Sequence, residues 1–276
     1  MRPEKGNGTQ RPQRCRLNQT VMHKNMKPNT EKFFNMVMAE VSSILHFDQM
    51  KQNEELKQAI MNTLLDKEGP RSVSTNPGEK EIFVNSKLLK GFSEIHQAVR
   101  CLENIEIYTR RFPFSRTKIS KLDYLKYNIE NYLNEVYVLK LRMIAYSTTI
   151  SRSYRKSDNG RRVETLLGDS SKYLSTALET IIHSRGSHVH SSRFSDEDLD
   201  RLSSLELMHY SNDSEARQIF ESLFEEAYLS VRKKWVKLMK DNMTSINILL
   251  DKYCLVLIDA ISDGEKIIYP SNTKWA

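Results

Sequence analysis

Three of the chain's seven histidines and two arginines lie within residues 183–194, and no other stretch of the 276 residues places several histidines beside arginines. An imidazole can accept or donate a proton near pH 7, while a guanidinium stays charged and grips phosphate oxygens through a planar fork of donors. Gly186 can supply a backbone turn that other residues resist, which would let both kinds of side chain converge. We call residues 183–194 the Arg/His segment and expect any chemistry of this chain to occur there.

The residue types in this segment suit the cleavage of RNA without a metal. That reaction needs a base for the 2′-hydroxyl, an acid for the 5′-oxygen and a cation that stabilises the charge on phosphorus. His190 or His188 can fill either proton role. Arg185 suits the reacting phosphate, and Arg193 suits a neighbouring one. No paired-carboxylate cluster is visible elsewhere in the sequence, so we expect neither a catalytic metal nor a cofactor.

The elements that must position the segment are predicted to be helices, and the fold class is all-α. Proline is absent between Phe114 and Tyr269, and glycine is absent between Ser187 and Asp263. Long stretches without either residue favour long helices, because proline breaks helices and glycine weakens them. The predicted helices cover residues 33–47, 49–65, 86–111, 118–152, 162–184, 195–208 and 215–261, with a short extended piece at 81–84 and a break near 240–244 of the last helix.

Apolar periodicity and a capping signal support these helices on both sides of the segment. The long helix 118–152 carries one apolar stripe in steps of three and four, formed by Leu122, Leu125, Ile129, Leu133, Val136, Leu139 and Met143. The helix after the segment opens with Ser195, which we predict to cap its first amides, followed by carboxylates that suit a helix N-terminus. The Arg/His segment is thus predicted to join two helices of a bundle.

Charge divides the chain into unequal parts. The formal net charge is +7, but residues 1–32 hold eight Lys/Arg against two Glu, so they carry +6 and the other 244 residues carry +1. A polar, basic stretch of this composition is typical of a disordered tail. The predicted organisation is a basic tail at 1–32, a helical hairpin at 33–66, a helical bundle at 86–262 and a polar C-terminal tail at 263–276.

The spacing of the motif and its helical frame resemble a known superfamily. Arg185 and His190 form an Arg-x4-His motif within Arg185-Gly-Ser-His188-Val-His190-Ser-Ser-Arg193-Phe. An earlier helix contains Tyr127-Asn-Ile-Glu130-Asn-Tyr132-Leu-Asn-Glu-Val-Tyr137 and continues to Ile150-Ser-Arg-Ser-Tyr-Arg-Lys156. Together these stretches resemble the HEPN superfamily (higher eukaryote and prokaryote nucleotide-binding domains), in a bacterial branch. The resemblance covers about residues 86–262.

This resemblance implies a function and an assembly. It implies a metal-independent endoribonuclease that acts as a toxin or an antiphage effector, with an antitoxin protein as a partner. It also implies a homodimer in which the motifs of both protomers meet at the two-fold interface as a composite site. Arg185 and His190 take the superfamily's Arg and His positions, while His188 offers a second imidazole and leaves the register of the working histidine open.

Other interpretations of the same residues remain open. A catalytically silent HEPN-like module would bind RNA, a nucleotide or a partner protein, and a structural helical protein would carry the histidines incidentally. His183, His188 and His190 offer zinc ligands, but neither cysteine ligands nor an H-E-x-x-H motif accompany them. The three cysteines are widely spaced and predict no disulfide framework. No apolar run is long enough to span a membrane, so we expect a cytoplasmic protein without a membrane partner.

Overall fold

The structure is a computed structural model, and it describes residues 26–44, 58, 62, 78–111, 119–186, 196–208 and 213–270. Within these ranges the chain is helical and contains no strand, which confirms the predicted all-α class. The elements are α1 (Pro28–Ile44), α2 (Glu79–Ile82), the π-helix π1 (Phe83–Leu89), α3 (Lys90–Arg110), α4 (Lys121–Tyr154), α5 (Gly160–Gly186), α6 (Glu197–Met208) and α7 (Ser214–Ile261).

The helices α3, α4, α5 and α7 are long and pack side by side around one core. The α4 stripe lies in that core as predicted, since each of its seven residues from Leu122 to Met143 is buried. Ser120 caps α4 by accepting a hydrogen bond from the Asp123 amide at 2.9 Å. The short turn at residues 155–159 sends the chain back along α4 as α5, so these two helices form an antiparallel hairpin.

The last helix, α7, runs for 48 residues without interruption, and the predicted break near 240–244 is wrong. The prediction rested on length, because few helices in globular proteins are so long. The packing explains the continuity, since α7 contacts α1, α3, α5 and α6 in turn. Met239 and Met243 are buried at the predicted break, and Lys240 forms an ion pair with Glu106 of α3 at 3.8 Å.

One local prediction is also wrong. Residues 81–84 are helical rather than extended, because Phe83 and Val84 are buried in the core as part of a helical face.

The helix after the Arg/His segment has an aspartate cap, because the Asp196 carboxylate accepts from the Leu199 amide at 2.8 Å. Ser195, the cap that the sequence predicted, lies outside the described residues.

Helix α1 begins at Pro28, five residues before the predicted start at Phe33. Its first amides are capped from a distant helix, because the Asp251 carboxylate of α7 accepts from the backbone amides of Asn29 at 2.8 Å and Thr30 at 3.1 Å. Helix α1 therefore packs on the bundle. The second predicted helix, 49–65, lies outside the described residues except for positions 58 and 62, and residues 1–25 of the predicted tail lie outside them entirely.

The chain after α7 folds back onto the bundle over residues 262–270, a stretch that the sequence had predicted to be a polar tail. Ile267 is buried, and its backbone forms an isolated antiparallel bridge with Ser262. Gly264 turns the chain at a φ of 100°, a left-handed conformation that favours glycine. Tyr154 donates a hydrogen bond to the Ile268 carbonyl at 2.5 Å. Among the helices described here, none has the length and apolar character needed to cross a lipid bilayer.

Candidate functional site

The structure places the Arg/His segment between the end of α5 at Gly186 and the start of α6 at Glu197. The backbone of Arg185 lies in the last turn of α5, but its side chain is outside what the structure describes. His188, His190 and Arg193 lie outside the described residues as well. Whether these four side chains converge therefore stays a prediction, and only the elements that surround them are described.

The hairpin of α4 and α5 determines which part of α4 lies beside the segment. Helix α5 has 27 residues, which corresponds to about 40 Å at 1.5 Å per residue. Because α4 runs in the opposite direction with the same rise, the end of α5 returns to the level of about Ile129 of α4. Leu178 and Ile181 near this end also line a cavity of about 170 Å³ with Ile246 of α7. The segment thus begins beside the first half of α4 and the middle of α7.

Glu130 of α4 is a polar side chain at this level that sequence reasoning left out of the candidate site. Lys126, four residues earlier on the same helical face, donates a hydrogen bond to Ser203 of α6 at 2.7 Å. Glu130 therefore shares the face that is turned to α6. Its Oε1 atom is shielded from solvent and has no hydrogen-bond partner in the part of the chain that the structure describes. In the sequence, the spacing of four residues between Lys126 and Glu130 was the signal that could have placed Glu130 on this face.

Tyr132 is the second polar group at this level, and it is completely buried. Burial raises its pKa to about 12, and its hydroxyl has no hydrogen-bond partner within the described residues. Tyr127 is exposed and Tyr137 is half-buried. The three tyrosines thus point in different directions, as their spacing of five predicts, and they do not form a continuous platform on which RNA bases could stack.

The charges around the segment are of both signs. Residues 196–208 hold five acidic side chains against Arg201, and residues 213–226 hold five against Arg217, so each stretch carries a net charge of −4. The next part of α7, residues 232–240, is basic and contains Arg232, Lys233, Lys234, Lys237 and Lys240. Lys234 donates a hydrogen bond to Asp198 at 2.5 Å and lowers the pKa of that carboxyl. A polyanion would approach this end along the basic part of α7 rather than along α6.

The described residues contain no group of three or more His, Cys, Asp or Glu side chains that could hold a metal ion. This finding does not extend to His183, His188 and His190, whose side chains are outside the described part of the chain. The zinc interpretation of those histidines accordingly remains a hypothesis. Cys254 is a core residue, because its side chain is fully buried.

Comparison with protein-family models, with curated proteins and with solved structures gave no match to this chain. The likeness to the HEPN superfamily therefore rests on the motif residues and their helical frame alone.

Proposed function

We propose that this protein is a metal-independent endoribonuclease of the HEPN type, with its catalytic residues in the Arg/His segment. The observation that carries the proposal is the position of the Arg-x4-His motif. Arg185 occupies the last turn of a long bundle helix, and the following residues up to the start of α6 contain both candidate histidines. A motif at a helix end is free to present its side chains to a substrate, whereas the same spacing inside a helix would spread them around it.

The proposed reaction is attack of the ribose 2′-hydroxyl on the adjacent phosphorus, with loss of the 5′-oxygen of the next nucleotide. His190 or His188 removes the 2′-hydroxyl proton, and a second imidazole protonates the leaving oxygen. Arg185 stabilises the charge that develops on the phosphate, while Arg193 holds a neighbouring phosphate. In a homodimer with a composite site, the second imidazole would come from the partner protomer.

Glu130 is a candidate positioning residue for this chemistry. It lies on the α4 face turned to α6 and has a carboxylate oxygen that is removed from solvent. A carboxylate near an imidazole raises the pKa of that imidazole. We therefore expect Glu130→Gln to move the acid limb of the pH profile of cleavage to lower pH, which a purely structural role of Glu130 would not do.

The decisive experiment measures cleavage of a labelled single-stranded RNA by purified protein. We expect Arg185→Ala and His190→Ala each to lower the cleavage rate at least ~100-fold, as removal of a transition-state contact or a general acid–base does. The cleavage rate of His188→Ala shows whether His188 or His190 is the working histidine. Added EDTA should leave the rate unchanged, since no metal takes part.

Arg201→Ala is the matched control, because Arg201 is an exposed arginine of α6 whose described ion pair with Glu197 is long, at 4.0 Å. This variant should cleave RNA like the wild type. Cleavage that survives both Arg185→Ala and His190→Ala would contradict the proposal. A role as a toxin or antiphage effector in the bacterial cytoplasm further predicts that expression of the wild type slows growth and that both variants relieve the effect.

A silent module that binds RNA or a partner protein is the alternative function, and one observation favours it. The start of α7 and the end of α6 expose large apolar side chains, with Ile219 59% and Leu207 73% exposed. Exposed apolar side chains beside an acidic surface are more typical of a protein contact than of an RNA contact. This alternative predicts binding of RNA or of a protein partner without formation of any cleavage product.

A further inference from the structure

The turn between α4 and α5 carries a concentration of positive charge at the end of the hairpin opposite the Arg/His segment. Residues 152–162 contain five basic side chains and one acidic side chain, a net charge of +4. Arg152, Arg155, Lys156 and Arg161 are all exposed. In the part of the chain that the structure describes, none of these four forms an ion pair with a carboxylate. Their charge is therefore available to a ligand.

A groove of about 350 Å³ opens beside this turn, between α4 and α5. Arg152 and Arg155 line it together with the hydroxyl-bearing side chains of Thr148 and Ser151. Its α5 wall includes Glu164 and Gly168, and a Cβ atom added at Gly168 would meet no other atom within 4 Å. The missing side chain thus keeps the groove open on the α5 side.

The composition of the groove favours a phosphate followed by a ribose over an acidic peptide. Two guanidinium groups provide forked donors for phosphate oxygens. The Glu164 carboxylate accepts hydrogen bonds from hydroxyls such as the ribose 2′-OH, but it repels a second carboxylate. An acidic side chain offers a carboxylate but no hydroxyl for Glu164, whereas each RNA nucleotide combines a phosphate with a ribose 2′-hydroxyl.

We propose that this groove is a second RNA-binding site, in which Arg152 and Arg155 hold a backbone phosphate of single-stranded RNA. The inference rests on the proposed function for the identity of the strand, and it names the substrate as one long enough to reach from the groove to the end of α5. Gly168 in the groove and Gly186 at the end of α5 are 18 residues apart, which corresponds to about 27 Å along the helix. A single bound strand can contact both sites, so binding at the groove anchors RNA whose scissile phosphate lies at the segment.

The test measures RNA affinity in the cleavage-free Arg185→Ala background as a function of salt concentration. For single strands, the slope of log affinity against log salt falls by about 0.7 for each phosphate that the protein no longer neutralises. We expect Arg152→Gln/Arg155→Gln to reduce the slope by about 0.7, because the two arginines hold one phosphate, and to weaken binding of an RNA of about 20 nucleotides roughly tenfold. The matched control is Lys90→Gln/Arg100→Gln, which removes the same charge from exposed positions of α3.

A second variant fills the groove without changing its charge. Gly168→Phe places a large side chain in open space on a helix, so the fold should tolerate it, and RNA binding should weaken about as much as in the arginine variant. Equal slopes for the groove variant and the α3 control would overturn the proposal, as would undiminished RNA binding by Gly168→Phe. An acidic peptide that binds the groove while RNA affinity is unchanged would overturn it too. Absence of cleavage by the wild type would refute the nuclease function but not the groove, whose readout is affinity alone.

Discussion

At the scale of single residues, burial decides which reactive groups are available. Cys254 lies in the core between α7 and α1, while Cys101 of α3 is partly exposed. Burial raises the pKa of the Cys254 thiol to about 12. The thiolate is the nucleophilic form of cysteine, so Cys254 is inert at neutral pH. The same principle applies to Tyr132, whose buried hydroxyl stays protonated at neutral pH because burial raises its pKa to about 12.

This burial predicts the outcome of thiol labelling at pH 8. We expect iodoacetamide to modify Cys101 in the native protein and to modify Cys254 only after unfolding in urea, as read by peptide mass spectrometry. The raised pKa of Cys254 also determines the sign of the pH dependence of protein stability. The neutral thiol contributes stability below its ordinary pKa of 9.0, and this contribution is lost as the pH rises from there towards 12. Labelling of Cys254 at the rate of Cys101 would contradict the packing of α1 against α7.

At the scale of elements, two glycines within helices have opposite roles. Gly91 lies in the first turn of α3, beneath the ring of Tyr146. A Cβ atom at Gly91 would lie 2.4 Å from Cδ2 of that ring. Tyr146 is buried and donates a hydrogen bond to the Leu88 carbonyl in π1 at 3.2 Å, so it cannot move aside easily. Gly168, in the middle of α5, faces open space instead.

The same substitution should therefore change stability in opposite directions at these two glycines. Alanine favours a helix over glycine by up to about 1 kcal/mol, and at Gly168 nothing opposes this gain. At Gly91 the clash with Tyr146 should outweigh it, for a net loss of about 1–3 kcal/mol. Urea denaturation of Gly91→Ala and Gly168→Ala measures both free energies of unfolding. Equal changes of the same sign would show that helix propensity alone governs these positions.

At the scale of the whole molecule, the first and the last helix that the structure describes are held together. Asp251 of α7 caps α1 across 222 positions of sequence through the backbone amide of Asn29. Glu40 of α1 accepts a hydrogen bond from Tyr269 and forms an ion pair with Lys80 at 3.6 Å. The first helix is thus fixed by the last helix and by the segment after it, so we expect residues far apart in the sequence to unfold as one unit.

This coupling predicts the effect of removing the cap. Asp251→Ala leaves the first amides of α1 without their acceptor, and we expect it to lower the free energy of unfolding by about 1–3 kcal/mol. It should also speed proteolytic cleavage between α1 and α2, because α1 loses its attachment to α7. Asp241→Ala, at an exposed position of the same helix, is the control and should change neither. Unchanged stability and proteolysis in Asp251→Ala would show that α1 is held by its apolar face alone.

The sequence by itself determined the helical class and most helix ends, because these depend on local features. The α4 stripe from Leu122 to Met143 is periodic, proline is absent between Phe114 and Tyr269, and glycine is absent between Ser187 and Asp263. The sequence also singled out Arg185, His188, His190 and Arg193 by chemical type and spacing. The convergence of these four side chains depends on backbone torsions and contacts outside the described residues, so it stays a prediction for the experiments above.

Only the tertiary structure decided the features that depend on contacts between distant residues. The continuity of α7 through Lys240, the cap that Asp251 provides for α1 and the return of Ile267 to the core all arise from partners far away in the sequence. Local propensity cannot encode such contacts, since it depends on neighbours within a few positions. The groove beside Arg152 is of the same kind, because its two walls come from antiparallel helices that only the folded hairpin brings together.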